Sequence, residues 1–148
     1  MNQIIQTLWS RTEIVLWPEN YLLVSLPHES LIEALSMVSA AAGHFSAIVV
    51  EKDEVSLTME EELWKTRAAA VPHHSADGPF RAVTLQVNVD LGVSGYFAPA
   101  AERLADAGIS IVPQCAYLKD HVLIRAADAD RAVEIMENLV RECQEIHE

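Results

Sequence analysis

The chain has 148 residues, of which 51% are hydrophobic, enough to bury the core of one ordinary domain or of two small ones. Its formal net charge of −12, from 22 acidic and 10 basic residues, argues against a nucleic-acid partner and against anionic membrane surfaces. Because only two cysteines occur, Cys115 and Cys143, and MNQIIQTLWSRTE lacks the apolar run of a signal peptide or membrane span, we expect a reduced, cytoplasmic protein with both cysteines in the core.

The front half of the chain predicts strands and helices in alternation. TEIVLWP and YLLVSLP are expected to form a hairpin around residues 18–20. SAIVVE and EVSLT are expected to meet at residues 52–53, and the acidic run 60–62 begins a short helix. Between the two pairs lies a helix whose predicted apolar face consists of Leu31, Leu35, Val38 and Ala42.

The back half has clearer periodicity. RAVTLQVNV (81–89) alternates with period two and predicts a half-buried strand, followed by a turn and by a helix that ends at Gly108. ISIVPQCA (109–116) and DHVLIRA (120–126) predict two strands, and Pro113 favours an edge position for the first of them. Asp128 is the expected N-cap of a last helix, whose predicted apolar face consists of Ala132, Ile135, Met136, Leu139 and Val140.

Strand, helix, strand, strand and helix in this order make most of a split β-α-β unit, with helices on one face of an antiparallel sheet. The stretch AAAVPHHSADGPF (68–80) has no periodicity and is expected to be a linker. The predicted organisation is therefore an α+β protein with an N-terminal module at 1–67, a linker at 68–80 and a C-terminal module at 81–148.

The turn DLGVSGYF after the 81–89 strand is the candidate functional site. A phosphate-binding loop is disfavoured because the turn has two glycines and no nearby cation, and a nucleophile elbow is disfavoured because Tyr96 stands where its second glycine is required. Free amides at the start of a helix together with Asp90 would suit an amino acid zwitterion. The alternative is that Gly92 and Gly95 merely permit a tight turn.

DLGVSGYFAPAAERLADAGISI and CAYLKDHVLIRAADADRAVEIM resemble the ACT domain, in the branch of aspartate-kinase regulatory domains and cytosolic arginine sensors. Small stand-alone bacterial and fungal proteins built from two such modules are similar over nearly the whole chain. The resemblance implies two ferredoxin-like modules side by side, and an amino acid ligand held at their interface between the turn of one module and the edge strand of its neighbour.

The resemblance also implies which residues contact the ligand. Tyr117 would form a wall of the pocket, and Asp120 would meet a cationic group. The turn would contribute Asp90, Leu91, Gly92, Val93, Ser94 and Gly95, and the edge strand Val112, Gln114, Cys115 and Ala116. Two differences from the family put ligand binding in question: Cys115-Ala116 replaces a hydroxyl pair, and Lys119 could neutralise Asp120.

Other conspicuous residues predict structural roles. His73 and His74 lack partners at metal-ligand spacing, His121 is expected to be a partly buried strand histidine, and the tryptophans are expected to pack in the core or at a module interface. We predict no catalytic residues, no metal and no cofactor.

The sequence thus leaves two hypotheses. The first is a non-enzymatic homodimer that binds a small amino acid and changes its association in response. The second is a ligand-free association module.

Overall fold

The structure is a computed structural model and describes residues 1–146. In chain order its helices and strands are α1 (Gln3–Ser10), β1 (Glu13–Leu16), β2 (Tyr21–Leu26), α2 (Leu31–Ala40), β3 (Ala47–Val50), β4 (Val55–Glu60), α3 (Glu61–Arg67), β5 (Ser75–Gln86), α4 (Ala98–Asp106), β6 (Ile111–Pro113), β7 (His121–Arg125) and α5 (Ala129–Glu145). The chain forms two compact units, one made of Met1–Trp17 with the chain from Ala82 onwards, the other of Pro18–Arg81. In sequence, the second unit is thus inserted into the first.

The first unit contains a four-stranded antiparallel arrangement in the order β1-β5-β7-β6, to which β5 contributes its second half. Leu16 pairs with Val83, and the amide of Leu85 donates to the carbonyl of Asp120 at 2.9 Å. Strands β5 and β6 flank β7, which is the predicted split β-α-β order. The N-terminal strand β1 pairs with β5 and adds the fourth strand.

Helices of the first unit pack on one face of these strands because their apolar side chains recur at helical spacing. Ile5 and Trp9 of α1, one turn apart, are buried there with Leu104 of α4. The face of α5 agrees with the prediction except that Ile135 is only partly buried; its buried members are Ala132, Met136, Leu139, Val140 and Cys143.

The second unit has the strand order β3-β4-β2-β5, to which β5 contributes its first half, and every neighbouring pair is antiparallel. The predicted meeting of the β3 and β4 strands and the helix that begins after Glu60 are observed. Its core lies between the strands and helices α2 and α3, and includes Val24, Leu57, Met37 and Trp64. Each unit therefore has ferredoxin-like strand order, and the predicted α+β class with antiparallel strands and helices on one face is confirmed.

Several expectations about the front half are corrected. Strands β1 and β2 do not form a hairpin: β1 pairs with residues 83–86, whereas β2 pairs with β4 and the start of β5. The expected linker is only partly a linker, because β5 begins at Ser75. Residues 75–79 of this strand are exposed or half-buried, so no alternation of apolar and polar side chains marks its start. Helix α1 was not predicted.

Module boundaries and two burial predictions also differ. Residues 1–17 belong with the C-terminal unit, so the compact units do not coincide with 1–67 and 81–148. On α2 the buried residues are Ala34, Met37 and the adjacent Ala41, because the small alanines and the flexible methionine fit against the strands. Leu35, which was predicted to be on the apolar face, is 50% exposed. Cys143 is buried as expected, but Cys115 is exposed because it lies in the β6–β7 connection.

Candidate functional site

The 90–95 turn joins β5 to α4 and is closed by its own aspartate. The Asp90 carboxylate accepts a hydrogen bond from the Gly92 amide at 2.7 Å, and the Asp90 carbonyl accepts one from the Val93 amide at 2.9 Å. Gly95 has φ +84°, a conformation that glycine adopts without strain. Within residues 1–146 the amides of Leu91, Ser94 and Gly95 have no hydrogen-bond partner, so the turn offers N–H groups to a ligand.

The β6–β7 connection lies opposite this turn in the same unit. Its own tight turn is closed by the Ala116 amide, which donates to the Lys119 carbonyl at 3.0 Å. The amide of Val89 donates to the Leu118 carbonyl at 3.0 Å, which holds the connection beside the end of β5. Between the two turns is a gap of about 240 Å³, and seven of the predicted ligand residues line it: Asp90, Leu91, Val93, Gly95, Ala116, Tyr117 and Asp120.

A larger cavity of about 440 Å³, here called the α1–α4 cavity, lies against the same turn. It is bordered by the start of α1, by Ser94 and Gly95, and by α4 residues that include Glu102 and Arg103. Gly95 lines both spaces, so the predicted turn residues are divided between them. Ser94 borders the α1–α4 cavity and is absent from the lining of the gap.

Four predicted residues line neither space. Gly92 closes the turn through Asp90, and Val112 pairs with Leu123 within the sheet. The Gln114 amide donates to the His121 carbonyl at 2.7 Å, and the Cys115 thiol is hydrogen-bonded to the Asp120 carboxylate. The predicted partner of the turn was the edge strand of a neighbouring module. Within the chain, the residues that face the turn come from the same unit, because β5 and β7 are adjacent strands; the contribution of a neighbouring module's edge strand stays a prediction.

The charges at the gap are two carboxylates, Asp90 and Asp120, and one ammonium, Lys119. Within residues 1–146 no ion pair joins Lys119 to Asp120, so the neutralisation considered from the sequence is not observed. Burial, followed by the hydrogen bond and the charge of Asp120, raises the pKa of Cys115. Burial also lowers the pKa of the half-buried His121, which therefore stays neutral at pH 7.

Sequence reasoning missed several residues that line the gap, namely Val89, Phe97, Leu118 and, most deeply buried, Tyr96. Tyr96 is 3% exposed, lines the gap, and stacks on Trp9 with 4.9 Å between ring centroids. The Trp9 indole N–H donates to the Tyr96 carbonyl at 2.7 Å. Its neighbours in sequence, Gly95 and Phe97, both line the gap. The spacing of Ile5 and Trp9 could have predicted a helix, but no pattern joins it to residues 87 positions away.

The chemistry that this arrangement supports is binding. In the described part of the chain no cluster of three or more histidine, cysteine, aspartate or glutamate side chains could hold a metal ion. Among residues 1–146 no helix has both the length and the apolar character needed to cross a bilayer. The gap combines free backbone amides, carboxylates and aromatic rings, which are groups that recognise a small charged molecule.

Residues 75–138 match the family model of the ACT domain. No curated protein matches the chain by sequence.

Similar solved structures include a Vibrio cholerae protein of unknown function described as a possible transport protein, with a TM-score of 0.73 and 21% identity over 92% of this chain and 95% of that chain. An Agrobacterium tumefaciens protein has a TM-score of 0.69 and 20% identity over 88% and 90% of the two chains. The regulatory subunit of aspartate kinase from Thermus flavus has a TM-score of 0.61 and 14% identity over 85% and 95%. At these identities the similarity establishes the fold.

Proposed function

We propose that this chain, in which residues 75–138 carry the ACT domain, is a non-enzymatic regulatory protein that binds an amino acid in the gap of its first unit. One observation carries the proposal: the 90–95 turn and the β6–β7 connection face each other across about 240 Å³. That volume lies just below the range of about 300–1,000 Å³ typical of drug-sized ligands. It therefore suits a metabolite of amino acid size.

The proposed ligand contacts follow from the groups at the gap. Unpartnered amides of the turn, such as those of Leu91 and Gly95, would donate to the ligand carboxylate. A carboxylate, Asp90 or Asp120, would accept hydrogen bonds from the ammonium. Tyr117, which is 77% exposed, would cover the ligand once it is bound.

A cationic side chain is the favoured specificity. Two carboxylates against one ammonium leave the gap with a net negative charge, and aromatic rings line it beside them. A guanidinium both pairs with carboxylates through two hydrogen bonds and stacks on aromatic faces. L-Arginine is therefore the first probe, and L-citrulline, which has nearly the same shape without the charge, is its matched control.

A thermal-shift screen of the twenty standard amino acids tests the proposal. A ligand at a hundred times its dissociation constant adds about 2.7 kcal/mol to the free energy of unfolding, which in a chain of this length raises the melting temperature by about 5–10 °C. We expect L-arginine to stabilise the protein more than L-citrulline. If no amino acid raises the melting temperature at millimolar concentration, the proposal is wrong.

Asp120→Asn tests the role of the carboxylate. The substitution keeps the shape and removes the charge, so we expect calorimetry to give about tenfold weaker affinity for L-arginine. Asp106→Asn is the matched control, since Asp106 is an exposed aspartate at the end of α4 and lines neither space. Equal affinities of the two variants would mean that Asp120 does not contact the ligand.

A second candidate function is an association module that binds no ligand, and an apolar surface in the second unit favours it. Val49 and Val50 on strand β3, at the end of the strand order, are each 56% exposed, and Ile32 of the neighbouring α2 is 73% exposed. Such a strand is commonly covered by another chain. We propose that it mediates homodimerisation whether or not a ligand binds.

Light scattering coupled to gel filtration distinguishes the two functions. We expect a dimer that Val49→Lys converts to monomer, whereas Ile4→Lys, at an exposed apolar position of α1, leaves the dimer intact. A Val49→Lys monomer that still binds L-arginine would assign binding and association to separate surfaces. A dimer with no response to any amino acid would favour the second function.

A further inference from the structure

The N-terminal segment of the first unit holds Tyr96, the residue that directly follows the 90–95 turn. The Trp9 indole N–H donates to the Tyr96 carbonyl at 2.7 Å, and the two rings stack with 19° between their planes. The Tyr96 hydroxyl lies 2.7 Å from the Thr12 hydroxyl. Both the backbone and the side-chain end of Tyr96 are therefore fixed by residues 9–12, and all three side chains are buried.

The hydroxyl contact has a defined direction. The Thr12 hydroxyl donates its one proton to the Leu8 carbonyl at 2.8 Å, so the Tyr96 hydroxyl must donate to Thr12. Burial raises the pKa of Tyr96, so that the phenol keeps this proton throughout the physiological pH range. The result is a chain of hydrogen bonds from Tyr96 through Thr12 to the last turn of α1.

The turn depends on this support because the hydrogen bonds within the turn extend only as far as Val93. Asp90 binds the amides of Gly92 and Val93, but within residues 1–146 the amides of Ser94 and Gly95 have no partner. A glycine in the left-handed region has large conformational freedom when nothing holds it. Tyr96 follows this free segment directly, so its anchor limits the positions that the turn amides can take.

We propose that Trp9 and Thr12 are positioning residues: through Tyr96 they hold the 90–95 turn in its ligand-binding conformation, so that ligand binding and docking of α1 are coupled. The inference rests on the proposed function for its ligand. A turn ordered in advance loses less conformational freedom on binding, which increases affinity. By linkage, the ligand must in return stabilise the docked state of α1.

Thr12→Val and Thr12→Ser test the proposal as a matched pair. Valine has nearly the shape of threonine but no hydroxyl, and leaves the buried Tyr96 donor without an acceptor, whereas serine keeps the hydroxyl. We expect Thr12→Val to accelerate amide hydrogen exchange at residues 91–97 and to weaken affinity for L-arginine about fivefold or more. Thr12→Ser should restore both quantities to wild-type values.

A tryptophan pair controls for general loss of stability. The Trp17 indole N–H donates to Thr84 at 2.8 Å, and neither residue lines the gap or the α1–α4 cavity. Trp9→Phe and Trp17→Phe therefore each remove one indole hydrogen bond from the same unit. Only Trp9→Phe should change exchange at residues 91–97 and affinity. If Thr12→Val does not fold, Tyr96→Phe removes the same hydrogen bond and leaves the bond from Thr12 to Leu8 in place.

The opposite results overturn the proposal. If Thr12→Val and Trp9→Phe lower the melting temperature as Trp17→Phe does, but leave exchange at 91–97 and the affinity unchanged, these residues only stabilise the unit. Failure of the proposed function is a separate outcome, in which wild-type protein does not bind L-arginine. The exchange comparison of Thr12→Val with Thr12→Ser then still decides whether residues 9–12 position the turn.

Discussion

Replacing Gly95 with alanine separates backbone strain in the turn from loss of the space that the ligand needs. Gly95 has φ +84°, and a Cβ built there has no heavy atom within 4 Å. An L-residue in the left-handed region costs roughly 1–2 kcal/mol. The smaller entropy of the unfolded chain offsets about 0.4–1 kcal/mol of that cost. The free energy of unfolding should therefore fall by only about 1 kcal/mol.

Gly43→Ala is the matched control because Gly43 has φ +89° and equally open surroundings, but lies in the second unit. Both variants should lower the melting temperature by about 2–4 °C, which differential scanning fluorimetry measures. The methyl group of Gly95→Ala also enters space that borders the gap and the α1–α4 cavity. One added carbon in a tight site reduces affinity at least about tenfold.

Isothermal titration with L-arginine gives the decisive comparison. We expect Gly43→Ala to bind as the wild type does and Gly95→Ala to bind at least about tenfold more weakly. Equal affinity of the two variants would refute the reasoning that the backbone at Gly95 forms a wall of the ligand site. Unchanged melting temperatures would instead refute the strain estimate.

Two further predictions concern the first unit. The Arg103 guanidinium binds the Glu142 carboxylate at 2.7 and 3.0 Å and lowers its pKa, so the pair stabilises the fold above pH 4.5 and this stabilisation is lost as the pH falls through the folded-state value. Glu142→Gln should therefore cost at most about 1 kcal/mol at pH 7 and progressively less as the pH falls below 4.5. A difference in unfolding free energy that stays constant with pH in denaturant titrations would contradict this. Iodoacetamide should alkylate exposed Cys115 and spare buried Cys143 in native protein; mass spectrometry after digestion identifies the modified thiol. The reaction should be slow, because partial desolvation of the Cys115 sulfur and then Asp120 raise the pKa of this thiol.

The sequence predicted much of the back half. Period-two alternation predicted a strand at 81–89, of which residues 81–86 form the end of β5, and helical spacing with Gly108 predicted α4. The two following strands were predicted at 109–116 and 120–126, and they are present as the shorter, paired β6 and β7. These features are local, because each depends on residues a few positions apart. The composition of the turn allowed either a ligand cradle or a plain tight turn. The resemblance to the ACT domain gave twelve candidate ligand residues, seven of which line one gap.

The front half was harder to predict because its pairing is not local. Strand β1 is a short apolar run, so nothing in it distinguishes pairing with the nearby β2 from pairing with residues 83–86. Polar residues also concealed the start of β5 at Ser75. Residues 1–17 join the compact unit formed by the back half of the chain and not the one formed by the front half. Which unit they join depends on which strand edge is left unpaired in the folded protein.

The sequence by itself determined the α+β class, the periodic elements and a turn rich in unpaired amides, since these depend on the chemistry of neighbouring residues. Only the tertiary structure decided which elements share a unit, that the β6–β7 connection faces the turn, and that Trp9 and Thr12 hold Tyr96. Those facts depend on contacts between residues from 29 to 87 positions apart in the chain. Such contacts form wherever burial and hydrogen bonding satisfy both partners, and no short-range pattern in a single chain records the choice.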